Sequence, residues 1–164
     1  MQTQSTAVFA EARALSTTSS TVYSFPSNRQ RFFITEPKCD WRPAITEKLE
    51  SLIKLELGWD GYQGKPVSFE NANFALKMLE RIYCNGAPAP QIVPGTAGDL
   101  QIEWHTHVAD IELHVLAPNN VHAWISNEKT GPDGSDYPLT IDFTVVAQQL
   151  REMTEHSNDH AATA

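Results

Sequence analysis

Cysteine is almost missing from this chain. Two residues of 164, Cys39 and Cys84, lie far apart, and no CxxC pair occurs. A disulfide framework or a cysteine-ligated metal site needs more, and two reduced thiols fit a cytoplasmic protein. No run of about 18 apolar residues exists, which excludes a membrane-spanning helix. Basic residues are scarce: 12 Lys and Arg stand against 20 Asp and Glu, a net charge of −8. Binding a phosphate backbone or an anionic membrane needs a basic footprint, so neither is an expected partner. No Walker A loop, no GxGxxG after a strand and no GxSxG elbow is present, so no cofactor is expected. The first residues lack a charged stretch leading into an apolar one and do not read as a secretory signal.

What is present is an ordinary globular mix, 41% hydrophobic and 20% charged. A chain of this length can bury a full core without staples. The charge is uneven. Met1 to Lys48 holds six cations against four anions, which leaves a net −10 on the rest. Residues 1–39 read as a flexible arm. Ser and Thr surround a helix-like patch, Ala7 to Leu15, that is too short to stand alone. Two aromatic, β-branched runs follow, Val22-Tyr23 before Pro26 and Phe32-Phe33-Ile34 before Pro37, each suited to a short strand. Residues 40–155 read as one domain and 156–164 as a disordered tail.

Within the domain the periods change. Asp40 is a candidate N-cap, Pro43 fits a first turn, and Ile45, Leu49, Leu52 and Ile53 recur at helical spacing, with Gly58 as the closing residue. Ser68 caps a second helix whose stripe is Ala72, Ala75, Leu76, Leu79, Ile82 and Tyr83, widened by Phe74 and Met78. The period then becomes two. Ile92-Val93 is a short strand. Leu100, Ile102 and Trp104 alternate with polar residues, as do Ile111, Leu113 and Val115. Pro118-Asn119-Asn120 is a hairpin turn into a strand over 121–126, and Tyr137 to Ile141 adds an edge. A two-residue Asn119-Asn120 turn would bury Trp124 and His122; a longer turn would bury Val121, Ala123 and Ile125. Asp142 caps a last helix with Phe143, Val146, Ala147, Leu150 and Met153, although Thr144-Val145-Val146 makes a strand the rival. The fold class is α+β, an antiparallel β-meander of three to five strands with two or three helices covering one face.

Two groups of residues stand out. Gly58-Trp59-Asp60-Gly61-Tyr62-Gln63-Gly64-Lys65-Pro66 places two large aromatics and an acid among three glycines between helices. A structural reading has Trp59 plugging the end of the core, Asp60 accepting backbone N–H bonds and Gly61 at positive φ. A functional reading makes Trp59, Asp60 and Tyr62 a binding surface, with Phe32 and Phe33 of the arm as further contacts. The second group is Glu103, His105, Glu112 and His114, on the polar side of the meander. If Trp104 pairs with Leu113, each glutamate faces a histidine. If Trp104 pairs with Ile111, the glutamates face each other, so cross-strand charge favours the first register. The same four residues are candidate metal ligands.

The Gly-Trp-Asp-Gly-Tyr box with Pro66, followed by an Ala-containing helix, Pro94, a Gly98 turn and a strand ending Glu103-Trp104, resembles an uncharacterised family of small bacterial proteins. The resemblance spans Leu49 to Val115. The chain departs from it at Gln63-Gly64-Lys65, where the family tends to Gly-Ala. It implies a bacterial, cytosolic α+β protein and assigns no catalytic residue. The function expected is that of a non-enzymatic protein-binding module, such as an antitoxin, immunity or accessory subunit, binding a basic protein partner or a second copy of itself. The alternative is a metal-dependent hydrolase or ligand-binding domain using the Glu/His face.

Overall fold

The computed structural model describes the backbone of residues 20–24, 31–35 and 40–162, and the side chains of residues 40–156. The chain divides into two units, Met1–Lys38 and Cys39–Ala164. In the first, β1 (Ser20–Ser24) and β2 (Arg31–Thr35) pair antiparallel, with Val22 opposite Phe33 and Tyr23 opposite Phe32. The Ala7–Leu15 patch and Cys39 lie outside the described residues.

The second unit runs α1 (Arg42–Ile53), α2 (Phe69–Ile82), β3 (Gln91–Pro94), β4 (Leu100–His105), β5 (Ala109–Ala117), β6 (Asn120–Asn127), β7 (Ser135–Leu139) and α3 (Thr144–Ala162). The five strands form an antiparallel meander in the order β3-β4-β5-β6-β7. The fold is α+β. Alternation along the strands sends Leu100, Ile102, Trp104, Ile111, Leu113, Val115, Val121, Ala123 and Ile125 to one face, where all are buried. That face meets α1 through Ile45, Leu49 and Leu52, and α2 through Ala72, Ala75, Met78, Leu79 and Ile82. From α3 come Phe143, Val146, Leu150 and Met153. One shared core therefore lies between the sheet and three helices. The helical stripe outweighs the β-branched run at the start of α3, because it buries Val146 and Leu150 together.

Local signals hold where hydrogen bonding is local. Ser68 Oγ accepts from Asn71 N (3.1 Å) as the N-cap of α2. Asp142 Oδ1 accepts from Thr144 N (2.9 Å) and Thr144 Oγ1 (2.6 Å) ahead of α3.

Tertiary packing moves other expectations. Trp41, not Asp40, is the N-cap of α1 and makes no side-chain cap; it is buried and lies 5.5 Å from the Tyr83 ring, whereas Asp40 is exposed. Burying the indole fixes the entry of the chain. The helix stops at Ile53, ahead of Gly58, whose N–H instead joins Gly64 O (2.7 Å) in the next turn. In α2, Met78 takes the fully buried position and Leu76 is only half-buried. The edge strand starts at Ser135, not Tyr137. Helix α3 continues to Ala162, over positions whose polar composition suggests a disordered tail.

The register is corrected too. Trp104 pairs with Ile111, so Glu103 faces Glu112. The favoured alternative would need a tight turn at Val108-Ala109, two residues unsuited to the left-handed conformations of such turns. Instead Thr106 organises a wider one. Its Oγ1 accepts from Ala109 N (3.1 Å) and Val108 N (3.3 Å), and it donates to Ala109 O (2.9 Å). The glutamates turn aside to other partners: Glu112 accepts from Gln101 Nε2 (2.9 Å), diagonally across the strands, and Glu103 lies 3.3 Å from His105 Nε2 on its own strand. At the next hairpin a bulge between Val115 and Ala117 inserts Leu116, and Asn119 takes φ 60°. The inserted residue puts Val121, Ala123 and Ile125 inward and Trp124 outward.

Candidate functional site

The Trp-Asp-Gly-Tyr box is a hydrogen-bonded turn. Asp60 Oδ1 accepts from Tyr62 N and Gly64 N, both at 2.9 Å, and these bonds hold its carboxyl below the usual range. Gly61 has φ 83° and donates to Gly58 O (2.9 Å). Gly64 packs so closely on Asp60 that an added Cβ would sit 2.7 Å from the carboxyl carbon. Trp59 is half-buried and donates from Nε1 to Lys65 O (3.0 Å). Tyr62 is 87% exposed, the one large side chain of the box that points fully to solvent.

The box is tied to one end of the sheet. Lys65 N donates to Thr96 O (2.9 Å), and Lys65 and Ala97 form a parallel bridge. Val67 N reaches Leu52 O (3.2 Å) and Ser68 N reaches Gly98 O (3.0 Å). The buried Asn71 amide donates to Gly98 O (2.9 Å) and Leu116 O (3.3 Å), joining the start of α2 to the end of β5. The last cross-strand row here is Pro94, Leu100, Val115, Val121 and Leu139.

Exposed large hydrophobic residues occur on several segments at this end of the sheet. Among the described residues they are Leu57 (75%), Phe69 (66%), Ile141 (72%), Tyr62, Val93 and Leu116. Leu57 adjoins the box and Phe69 opens α2. Val93, Leu116 and Ile141 flank the final row of the sheet. Glu56, Asp60, Glu70 and Asp142 accompany them, against Lys54 and Lys65. Asp142, like Asp60, stays ionised more readily than usual, because Thr144 donates to it.

The four Glu and His candidates do not form one site. His105 sits between Glu103 (3.3 Å) and Asp110 (3.2 Å), whose hydrogen bonds, Glu103's foremost, raise its pKa. His114 lies farther along the ladder, opposite Gln101, with its Nε2 on Asp99. Burial pushes the Asp99 pKa up, but His114 and the Ala97 N–H outweigh it and hold the carboxyl below its usual range. Among the described residues no group of three or more His, Cys, Asp or Glu side chains is placed to hold a metal ion. Asp99 is the residue that sequence reasoning missed. Its signal was an acid closing a Gly-rich turn that directly precedes a strand. Phe32 and Phe33 belong to β2, and their side chains lie outside the described residues. A cleft of about 280 Å³ opens at the far end of the sheet, between His107, Val108, Asn127, Lys129, Gln149 and Glu152. Lys129 bridges to Glu152 there at 3.2 Å.

No protein-family model, curated protein or solved structure matches the chain. Among the described residues no helix is long and apolar enough to cross a membrane.

Proposed function

We propose that the chain is a non-enzymatic protein-binding module, in the manner of an antitoxin, immunity or accessory subunit, that engages a basic protein partner through the end of the domain carrying the Trp-Asp-Gly-Tyr box. The exposure of Leu57 and Tyr62 on and beside the box, and of Phe69 at the start of α2, carries the reading. Clustered apolar side chains rimmed by polar ones favour association, because covering them releases water. The division of labour inside the box supports it. Asp60 and Trp59 spend their polar atoms on the turn, while Tyr62 is held outward by a rigid backbone. An aromatic fixed in this way loses little side-chain entropy on binding. The acidic groups around it attract a basic surface and speed encounter.

Photo-crosslinking tests the reading. A photoreactive residue at position 62 should capture one basic protein in cells, and the same probe at position 81, exposed near the C-terminal end of α2, should not. Tyr62→Ser combined with Phe69→Ser should abolish capture through a probe at position 57 and leave the melting temperature unchanged. Equal capture from positions 62 and 81, or undiminished capture by the double variant, would refute it.

A further inference from the structure

The helices cover one face of the sheet. On the other, a single cross-strand row runs Gln91, Glu103, Glu112, Trp124 and Asp136. Beside it lie His105, Asp110 and Ser126 on one side and Gln101, His114 and His122 on the other. These positions hold four carboxylates and no Lys or Arg. Glu103 and Glu112 stand directly opposite each other, a pairing that repels. Their hydrogen bonds go to His105 and Gln101, and among the described residues neither glutamate is paired with a Lys or Arg. The raised pKa of His105 reflects the negative field on this face. A sheet face that keeps two glutamates opposite each other is suited to receive positive charge from outside.

Trp124 decides which kind of positive charge fits. Its indole N–H donates to Asp133 O (3.2 Å), and its ring lies against Gly134, where even a Cβ would overlap it. The β6–β7 loop thus holds the half-buried ring in place beside Glu112 and Asp136 in the row. A metal ion is disfavoured by the spacing of the carboxylates, since no three ligands converge among the described residues. A guanidinium suits the arrangement. It is planar, weakly hydrated, stacks on an indole and bonds a carboxylate through two N–H groups at once.

We propose that this sheet face, opposite the helices, binds an arginine-bearing basic segment of a protein partner, with a guanidinium lodged between Trp124 and Glu112. It rests on the partner-binding reading for the partner's basic character but uses a different surface from the box end. The test is a titration of the full chain, labelled for NMR, with an arginine-rich peptide and with the same peptide carrying citrulline. The Trp124 indole N–H signal should shift saturably with the arginine peptide only, and the shift should fade at high salt. The indole signals of the buried Trp41 and Trp104 should stay in place. Glu103→Gln with Glu112→Gln should weaken the peptide by about tenfold or more. The unfolding midpoint of the same double variant, measured alongside, separates lost affinity from lost fold. Citrulline peptide binding as well as arginine peptide, an unmoved Trp124 signal, or unchanged affinity in the double variant would overturn the proposal. Tyr62→Ser separates the two readings. If it abolishes crosslinking while Trp124 never responds to peptide, the sheet-face proposal fails alone. If Trp124 responds and Tyr62→Ser retains the partner, the box-end reading fails alone.

Discussion

Gly95→Ala should destabilise the domain through a single carboxylate. The backbone at Gly95 is not in the left-handed region, so an alanine meets no conformational penalty of that kind. Its methyl group would instead overlap the Asp99 side chain, and the three atoms nearest to the added Cβ all belong to Asp99. That side chain is 11% exposed; it accepts from Ala97 N (2.9 Å) and from His114 Nε2. Displacing it breaks both bonds. Each hydrogen bond to a charged group is worth about 1.5–3 kcal/mol. The imidazole side of the pair is open to water, which discounts the sum to a loss of about 2–3 kcal/mol. Urea unfolding read by tryptophan fluorescence would report it as a lower midpoint at unchanged slope. A double-mutant cycle isolates the cause. In an Asp99→Ala background the overlap is gone, and Gly95→Ala should then cost less than about 0.5 kcal/mol. Equal costs in both backgrounds would refute the reasoning, because the penalty would then lie in the backbone. The result bears on the box as well, since Thr96 and Gly98 of this turn receive the N–H bonds of Lys65 and Ser68.

Leu79 lies at the centre of the core at 1% exposure, and Leu79→Ala should lower stability by roughly 2–5 kcal/mol in the same assay. His105 yields a pH effect. Its pKa is raised in the folded protein by Glu103 and Asp110, so its stabilising contribution is full below the unfolded value, about 6.5, and is lost as pH rises through the higher folded value. His105→Gln should remove that decline; unfolding midpoints of wild type and variant that run parallel from pH 6 to 8.5 would contradict it.

Local chemistry was legible in the sequence. The apolar stripe of α2, its Ser68 cap, the alternation along β4 and β5 and the Asp142 turn each depend on residues within one or two turns of each other, and periodicity encodes them directly. Asp60 belongs with these, because the N–H groups it accepts from lie two and four residues away. The candidate site was legible only in part. The box marked a rigid turn, but nothing in it announced that Leu116 and Ile141 would come to the same end.

The pairing of β4 with β5 was beyond sequence reasoning for a physical reason. The two registers differ by two residues, so both send Ile102, Trp104, Ile111 and Leu113 inward, and the hydrophobic pattern cannot tell them apart. The Thr106 turn chooses between them, and with it sets Glu103 against Glu112. The bulge at Leu116 acts in the opposite way: one inserted residue exchanges the faces of β6, putting Trp124 outside and Val121 in the core. Trp41 and Asp99 follow the same logic. Each adopts its place because of a partner far off in the chain, Tyr83 for the indole and His114 for the carboxylate. Short-range periodicity determined which elements form. The register between them, and hence which charges face one another on the side of the sheet away from the helices, was left to turn hydrogen bonds and long-range packing.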